Sequence, residues 1–340
     1  MKDNFFKAAV LEKIGEKLRI IKLPLQEPQK NQVLVKIKYT GVCRSQIMEI
    51  EGNRENSKWL PHLLGHEASG LIVKIGKNVK NFKKGDRVFL SWIKSDNKDC
   101  SAIKYYYKNK IINAGKVTTF SKHTLVSSNR VYHLPKSINL KVGALLGCAL
   151  PTGFGMVINS LYKNKNKRIL IIGMGGVGLS SLIAAYSLNY INVDILEKNK
   201  IKIKKIKLKI NKNNFKYFDN IKDIKNNYYD NVIETSGDSK LISKSLDFIN
   251  NKGKVVFASH PESHSKINIF PHDLIKGKKI IGSWGGQIKF KRDLIKIMKI
   301  LNNFRSIEKL FFNKVYSLEK INLAIKDLKM GKVIRPLIKF

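Results

Sequence analysis

Directly after an apolar run, Arg168 to Ile172, the chain reads Gly173-Met174-Gly175-Gly176-Val177-Gly178 and continues into a segment of helical character, Gly178 to Leu188. Gly173, Gly175 and Gly178 give the spacing G-x-G-x-x-G in the strand, turn and helix context that makes it meaningful. The first glycine permits the tight turn, the second lets the backbone approach a pyrophosphate, and the third lets helix and strand pack closely. The helix N-terminus adds amide donors and the positive end of its dipole. Glu197 follows about twenty residues later, at the end of the next strand, where an acid holds the adenosine ribose hydroxyls of a dinucleotide. Its charge repels a ribose phosphate, so NAD is expected over NADP, a preference that Lys198 and Lys202 soften by their nearness in sequence.

From Lys167 onward strands alternate with helix-length segments, the pattern of a parallel sheet with crossover helices. Strands are expected at Arg168 to Ile172, Val193 to Leu196, Asn231 to Glu234, Lys254 to Ala258 and Lys279 to Ser283, with Lys240 to Asn250 helical. The run Ile201 to Ile206 alternates like a strand, yet Ile203, Ile206 and Ile210 also line one helical face, and its place after a second strand decides for helix. The earlier part of the chain reads differently. Lys7 to Val10, Arg19 to Leu23, Val33 to Tyr39 and Gly70 to Ile75 are short β-rich runs separated by Pro and Gly. Ser91 to Thr119 is polar and tyrosine-rich with no clear period, and reads as an excursion loop.

A length of 340 residues exceeds what one core usually supports, so two domains are expected. With 43% hydrophobic and 26% charged residues the composition is that of a folded protein. No apolar run is long enough to cross a bilayer, and the start, Met1-Lys2-Asp3-Asn4-Phe5-Phe6, lacks the features of a secretory signal, so a cytoplasmic location is expected. Three cysteines, odd and sparse, do not form a disulfide framework. The formal charge of +40 points first to a polyanion, but Lys far outnumbers Arg and is spread along the whole chain among Ile and Asn. That distribution reads as solvated faces and not as a phosphate-recognising patch, so no specific nucleic-acid partner is expected.

Three metal-capable side chains stand far apart: Cys43 in Gly41-Val42-Cys43-Arg44-Ser45, His66 in Gly65-His66-Glu67, and Cys148 in Gly147-Cys148. Singly each is unremarkable, and Cys148, in an apolar setting, reads by itself as a packing residue. In combination two thiolates and an imidazole are the donor set that leaves zinc an open position for water or substrate. Glu67, next to His66, offers a further oxygen ligand or an electrostatic partner.

On these motifs the chain resembles the zinc-dependent alcohol dehydrogenases of the medium-chain dehydrogenase/reductase family. The resemblance spans essentially the whole length, through Ala8-Ala9-Val10, Gly41 to Ser45, Gly65 to Gly70, Gly85-Asp86-Arg87-Val88, Thr119-Phe120-Ser121, Gly147-Cys148, Thr152-Gly153-Phe154-Gly155 and Arg335. It implies an α/β protein with a mainly-β GroES-like catalytic domain, residues 1–150 completed by 288–340, beside a Rossmann doubly wound parallel-sheet domain, residues 151–287. Substrate and zinc would lie in the cleft between them. By the same resemblance Cys43, His66 and Cys148 bind one catalytic zinc, Glu67 can exchange into the metal shell, and Ser45 starts a proton relay. Arg44 and Arg335 contact the cofactor pyrophosphate, Thr152 packs near the nicotinamide, and Gly176 and Val177 belong with the three glycines in the cofactor turn. A homodimer or homotetramer built through the Rossmann sheets is implied.

Three departures from the family pattern stand out. Cys100 is alone where many members carry four cysteines around a structural zinc, so a single zinc per chain is expected. Met48 replaces a histidine that ends the proton relay in some members, and Gln46 replaces the acidic partner of the zinc-bound histidine. The expected activity is hydride transfer between NAD and an alcohol, polyol or sugar hydroxyl, with zinc as the Lewis acid. Trp92, and less directly Trp59, are candidates for a pocket wall. The rival readings are a zinc-free NADPH-dependent quinone or enoyl reductase of the same superfamily, and a non-catalytic basic binding protein on this fold.

Overall fold

The computed structural model describes residues 4–161, 164–210 and 214–340. Met1 to Asp3, part of the segment scanned for a secretory signal, lie outside the described residues. The chain forms two compact units: the first runs up to Cys148 and takes in Phe311–Phe340, and the second is Ala149–Leu310. No helix among the described residues is long and apolar enough to cross a membrane.

The first unit is built on two sheets. One has the strand order Arg19–Pro24, Phe5–Leu11, His62–Leu63, Lys110–Gly115, Ile103–Tyr107. The other runs Val131–His133, Arg87–Ser91, Glu67–Ile75, Gln32–Gly41, Leu337–Lys339, Val315–Ser317, with His123–Ser127 also paired to Gln32–Gly41. Gln32–Gly41 is the hub, because Val33, Val35 and Ile37 alternate into a core with Ala68, Ile72, Val88 and Leu90 while its backbone serves neighbouring strands. Its far end pairs antiparallel with Leu337–Lys339, Leu337 opposite Gly41, and the Val42 amide donates to the Pro336 carbonyl at 2.9 Å. A segment from far along the chain is thereby held beside Cys43.

The stretch Ser91 to Thr119 is not the structureless loop its composition suggests. It contains a hairpin, Ile103–Tyr107 with Lys110–Gly115, in which Ile103, Tyr105, Ile112 and Ala114 face inward. Lys108 and Asn109 turn it with φ of 44° and 61°, the backbone form that suits a two-residue hairpin loop. The preceding loop is fastened by Arg130, whose guanidinium makes two bonds to the Asp99 carboxylate at 2.8 and 2.7 Å and also reaches the Trp92 carbonyl. That pair holds the Asp99 carboxyl below its usual range, and Asn129 adds a bond to the Asn97 carbonyl at 2.7 Å. Side-chain bonds therefore order the loop around Cys100.

The second unit carries a six-stranded, all-parallel sheet in the order Phe215–Phe218, Val193–Leu196, Ile169–Ile172, Tyr229–Glu234, Ile249–Phe257, Lys279–Gly282. Numbered along the chain this is 3-2-1-4-5-6, the doubly wound Rossmann order, whose switch point lies beside Ile169–Ile172. The ambiguous Ile201 region is the helix Lys200–Lys207, with Ile203 and Ile206 buried and the Asn199 side chain capping the Lys202 amide. The helix Phe290–Asn303 packs in this unit, so residues 288–310 lie with the parallel sheet and not with the first unit to which the sequence assigned them. Ile297, Ile300 and Leu301 supply its apolar stripe.

Candidate active site

Cys43 follows the hub strand and occupies the N-cap position of the helix Arg44–Ile50 without using its side chain as a cap, which leaves the sulfur available. His66 comes just before Glu67–Ile75, after Gly65 turns at φ 89°, where a side chain would run into Phe120. Cys148 sits between the helices Leu140–Leu145 and Ala149–Ser160, and the carbonyl of Gly147 accepts from the Ser91 hydroxyl at 2.7 Å. Three separate turns thus bring one donor atom each to a common point, all within 4.8 Å of one another.

The electrostatics of this point favour a cation. Contact with Cys148, aided by the Arg335 charge and His66 and opposed by burial, holds the Cys43 thiol well below its usual range. Contact with Cys43 and burial push the Cys148 thiol well above it. His66 Nδ1 lies 2.8 Å from Gln46 Nε2, and His66 Nε2 is buried with no hydrogen-bond partner. A buried, unpartnered imidazole nitrogen beside a low-pKa thiol is the chemistry of an open tetrahedral zinc site, and the residues fit that ion.

Glu67 is fully buried and is not among the three grouped donors. Its carboxylate is engaged by Arg335, with Nε 2.7 Å from Oε1 and Nη2 3.1 Å from Oε2. Burial pushes the Glu67 carboxyl up, against the pull of Arg335. Arg335, 4% exposed, is placed there by the strand that follows it. Ser45 has a buried hydroxyl with no partner, Met48 is buried, and Arg44 is exposed at the helix start. Trp92 is half-buried, whereas Trp59 is 55% exposed.

In the second unit the glycine turn has the form its spacing predicts. Gly173 sits at φ 85°, a side chain on Gly178 would strike the Gly173 carbonyl, and one on Gly175 would project into open space. Gly175 caps the helix Gly176–Ser187, so the amides that open the helix, those of Gly176 and Val177 first, meet that space with no side chain in the way. Glu197 is buried at the end of its strand, its Oε2 accepting from the Met174 amide at 2.8 Å and its Oε1 from the Asn199 amide at 2.9 Å. Lys202 Nζ is 3.7 Å from Oε2. Thr152 is buried with its hydroxyl unpartnered. The sequence reading overlooked Thr235, whose hydroxyl donates to the carbonyls of Ile172 and Gly173 and holds the turn. Its signal was the polar run Glu234-Thr235-Ser236-Gly237 at the end of the neighbouring strand.

A sequence model of the alcohol dehydrogenase GroES-like domain matches residues 29–136. The class-2 isozyme 2 alcohol dehydrogenase of Oryctolagus cuniculus is 27% identical, over 98% of this chain and 97% of its own. Residues 29–136 thus carry an alcohol dehydrogenase GroES-like domain, and the chain is similar to alcohol dehydrogenases along nearly its whole length. Among solved structures of this fold, benzyl alcohol dehydrogenase from Acinetobacter calcoaceticus superposes with a TM-score of 0.88 at 23% identity, covering 99% of each chain. Acetophenone reductase from Geotrichum candidum, solved in complex with NAD, gives 0.80 at 18% identity, over 100% of this chain and 98% of its own. The chain itself has a two-thiolate, one-histidine donor set and a dinucleotide-type turn, with Gln46 behind His66 and Met48 in the helix after Cys43.

Proposed function

We propose that this protein is a zinc- and NAD-dependent alcohol dehydrogenase that interconverts an alcohol, polyol or sugar hydroxyl and the corresponding carbonyl. The observation that carries the proposal is the convergence of Cys43, His66 and Cys148 within 4.8 Å, with His66 Nε2 buried and unpartnered. When bound, zinc supplies Lewis acidity to an alcohol oxygen and NAD supplies the hydride acceptor. Cys43, His66 and Cys148 hold the ion, and Gln46 fixes the His66 ring. The Ser45 hydroxyl, buried and unpartnered, is the proton acceptor nearest in sequence to Cys43, and Met48 cannot pass that proton on. With Met48 there, Ser45 would release its proton through the ribose of a bound cofactor and water, or through another group. Glu67, held by Arg335, is the nearby acid that the family resemblance implies.

The glycine turn receives the pyrophosphate on its helix N-terminus, and Glu197 receives the adenosine ribose hydroxyls while repelling a phosphate there. By the family resemblance Arg44, Arg335 and Thr152 would be further cofactor-binding residues. The same resemblance implies a dimer or tetramer. In its support, the edge strand Lys279–Gly282 is flanked by Phe270, Ile275 and Trp284, which are 75%, 77% and 68% exposed.

Two experiments bear on this reading. A panel of primary and secondary alcohols and polyols with NAD, followed by nicotinamide absorbance, should show turnover that Cys43→Ala reduces to background. Absence of turnover on every member, with zinc far below one ion per purified chain, would overturn it in favour of a zinc-free reductase or a binding protein. Glu197→Ala should lower kcat/KM for NAD by about 10- to 100-fold, the value of a hydrogen bond to a charged group, and narrow or reverse the preference over NADP. An unchanged ratio of the two cofactors would remove Glu197 from the ribose site.

A further inference from the structure

At the carboxyl end of the parallel sheet, Glu234 closes the strand Tyr229–Glu234 with a fully buried side chain that the chemistry above does not use. Its Oε1 accepts from the Ser236 amide at 2.6 Å and from the Ser236 hydroxyl, and its Oε2 accepts from the Ser259 hydroxyl at 2.8 Å. Ser236 belongs to the short connection from that strand to the helix Ser239–Phe248, and its hydroxyl oxygen also accepts from the Asp238 amide at 3.1 Å. Ser259 follows the next strand of the sheet, Ile249–Phe257. The two loops run close together, since a side chain on Gly237, at φ 82°, would meet the His260 carbonyl at 3.4 Å. Burial pushes the Glu234 carboxyl up, and the bonds from Ser236 and Ser259 pull against that shift. A buried acid is costly to desolvate, whereas an apolar residue would end the strand at no such cost. What the acid adds is a pair of acceptors that fasten two loops at once.

The place of these loops gives the carboxyl its meaning. In the strand order 3-2-1-4-5-6 a dinucleotide lies across the carboxyl ends of the strands, one mononucleotide on each half of the sheet. Glu197, just past the second strand, marks the half that takes the adenosine. Tyr229–Glu234 and Ile249–Phe257 are the fourth and fifth strands, so the loops that Glu234 fastens belong to the half left for the nicotinamide. Thr235 joins them to the glycine turn through its bonds to the Ile172 and Gly173 carbonyls, at 2.8 and 2.9 Å. Resting on the reading of that turn as a dinucleotide site, we propose that Glu234 is a positioning residue for the nicotinamide half of the cofactor, acting through Ser236 and Ser259 on the two loops that receive it.

The test compares two ligands on the purified full chain by titration calorimetry: ADP, which carries the adenosine and the pyrophosphate, and NAD, which adds the nicotinamide and its ribose. Glu234→Leu, close in size but unable to accept, should weaken NAD binding by about tenfold or more, the value of one hydrogen bond to a charged group, and leave ADP binding as in wild type. Glu234→Gln should keep NAD affinity near wild type, because its amide oxygen can accept from Ser236 and its nitrogen can donate to the Ser259 hydroxyl. Ser259→Ala should reproduce part of the NAD loss and add nothing to it in combination with Glu234→Leu, because the bond it removes is already gone. A side chain that only stabilises the sheet would weaken both ligands alike or neither. Equal losses for ADP and NAD, or full NAD affinity in Glu234→Leu, overturn the proposal while leaving the dinucleotide site in place. If Glu234→Leu does not fold, Ser259→Ala decides alone, and full NAD affinity there overturns it. Wild-type protein that does not bind NAD overturns both.

Discussion

Arg335→Ala should destabilise the first unit by about 3–5 kcal/mol, because it leaves the fully buried Glu67 carboxylate without its cation. The loss depends on pH with a definite sign. Burial already pushes the Glu67 carboxyl above its usual range, and Arg335 pulls against that shift. Without Arg335 the folded-state value rises further. A carboxyl whose folded value is raised costs nothing extra in acid, where it is neutral in both states, and becomes costly as pH rises through the ordinary carboxylate range toward the raised value. The variant should therefore lie closest to wild type near pH 4 and fall behind on going toward neutrality, as read by urea or thermal unfolding across that interval. Pairing Glu67→Gln with Arg335→Met should recover most of the loss, since removing both charges also removes the desolvation cost. Equal deficits at every pH would mean that Arg335 acts through packing.

Zinc should raise the unfolding midpoint of wild-type protein, and stripping it with a chelator should lower the midpoint again. At a free concentration a thousandfold above Kd the stabilisation is about 4 kcal/mol, comparable with the whole effect of Arg335. Cys148→Ser should abolish the zinc-dependent rise while leaving the metal-free midpoint near that of stripped wild type, because the change nearly keeps the shape of a buried residue that is in no disulfide. Calorimetry with and without zinc checks both statements. A midpoint indifferent to zinc in wild type would leave the three donors as a packed cluster with no ion to serve.

How far the sequence foretold this arrangement varied with the physics of each part. The parallel sheet was legible because its strands are continuous apolar runs and its first turn requires three glycines at fixed offsets. The metal donors were legible as residue types in turns, and the structure brings all three together. The hairpin in Ser91 to Thr119 was hidden because Lys108 and Asn109 supply its positive φ values in place of the Asn-Gly or Gly-Gly that usually announce such a turn. Its inward set, Ile103, Tyr105, Ile112 and Ala114, does alternate, but over segments short enough to pass as irregular. The ion pair of Glu67 and Arg335 was beyond pattern reading altogether. Nothing local to either residue signals the other, and only the register of Leu337–Lys339 on the hub strand makes them neighbours.

That register also sets an order of events in biosynthesis. Cys43, His66 and Cys148 have all been translated long before Arg335 and the strand that carries it to the hub. At ordinary translation rates the interval is on the order of tens of seconds. During it, a nascent chain carries two thiols and an imidazole with no guanidinium yet available to neutralise Glu67 and with one edge of the hub strand unpaired. A metal captured then would be held by a half-built cradle, open to exchange with whichever thiophilic ion is most abundant. Closure of Leu337–Lys339 onto Gly41 is the step that brings the Arg335 guanidinium to Glu67, so the charge balance around the three donors waits on that strand.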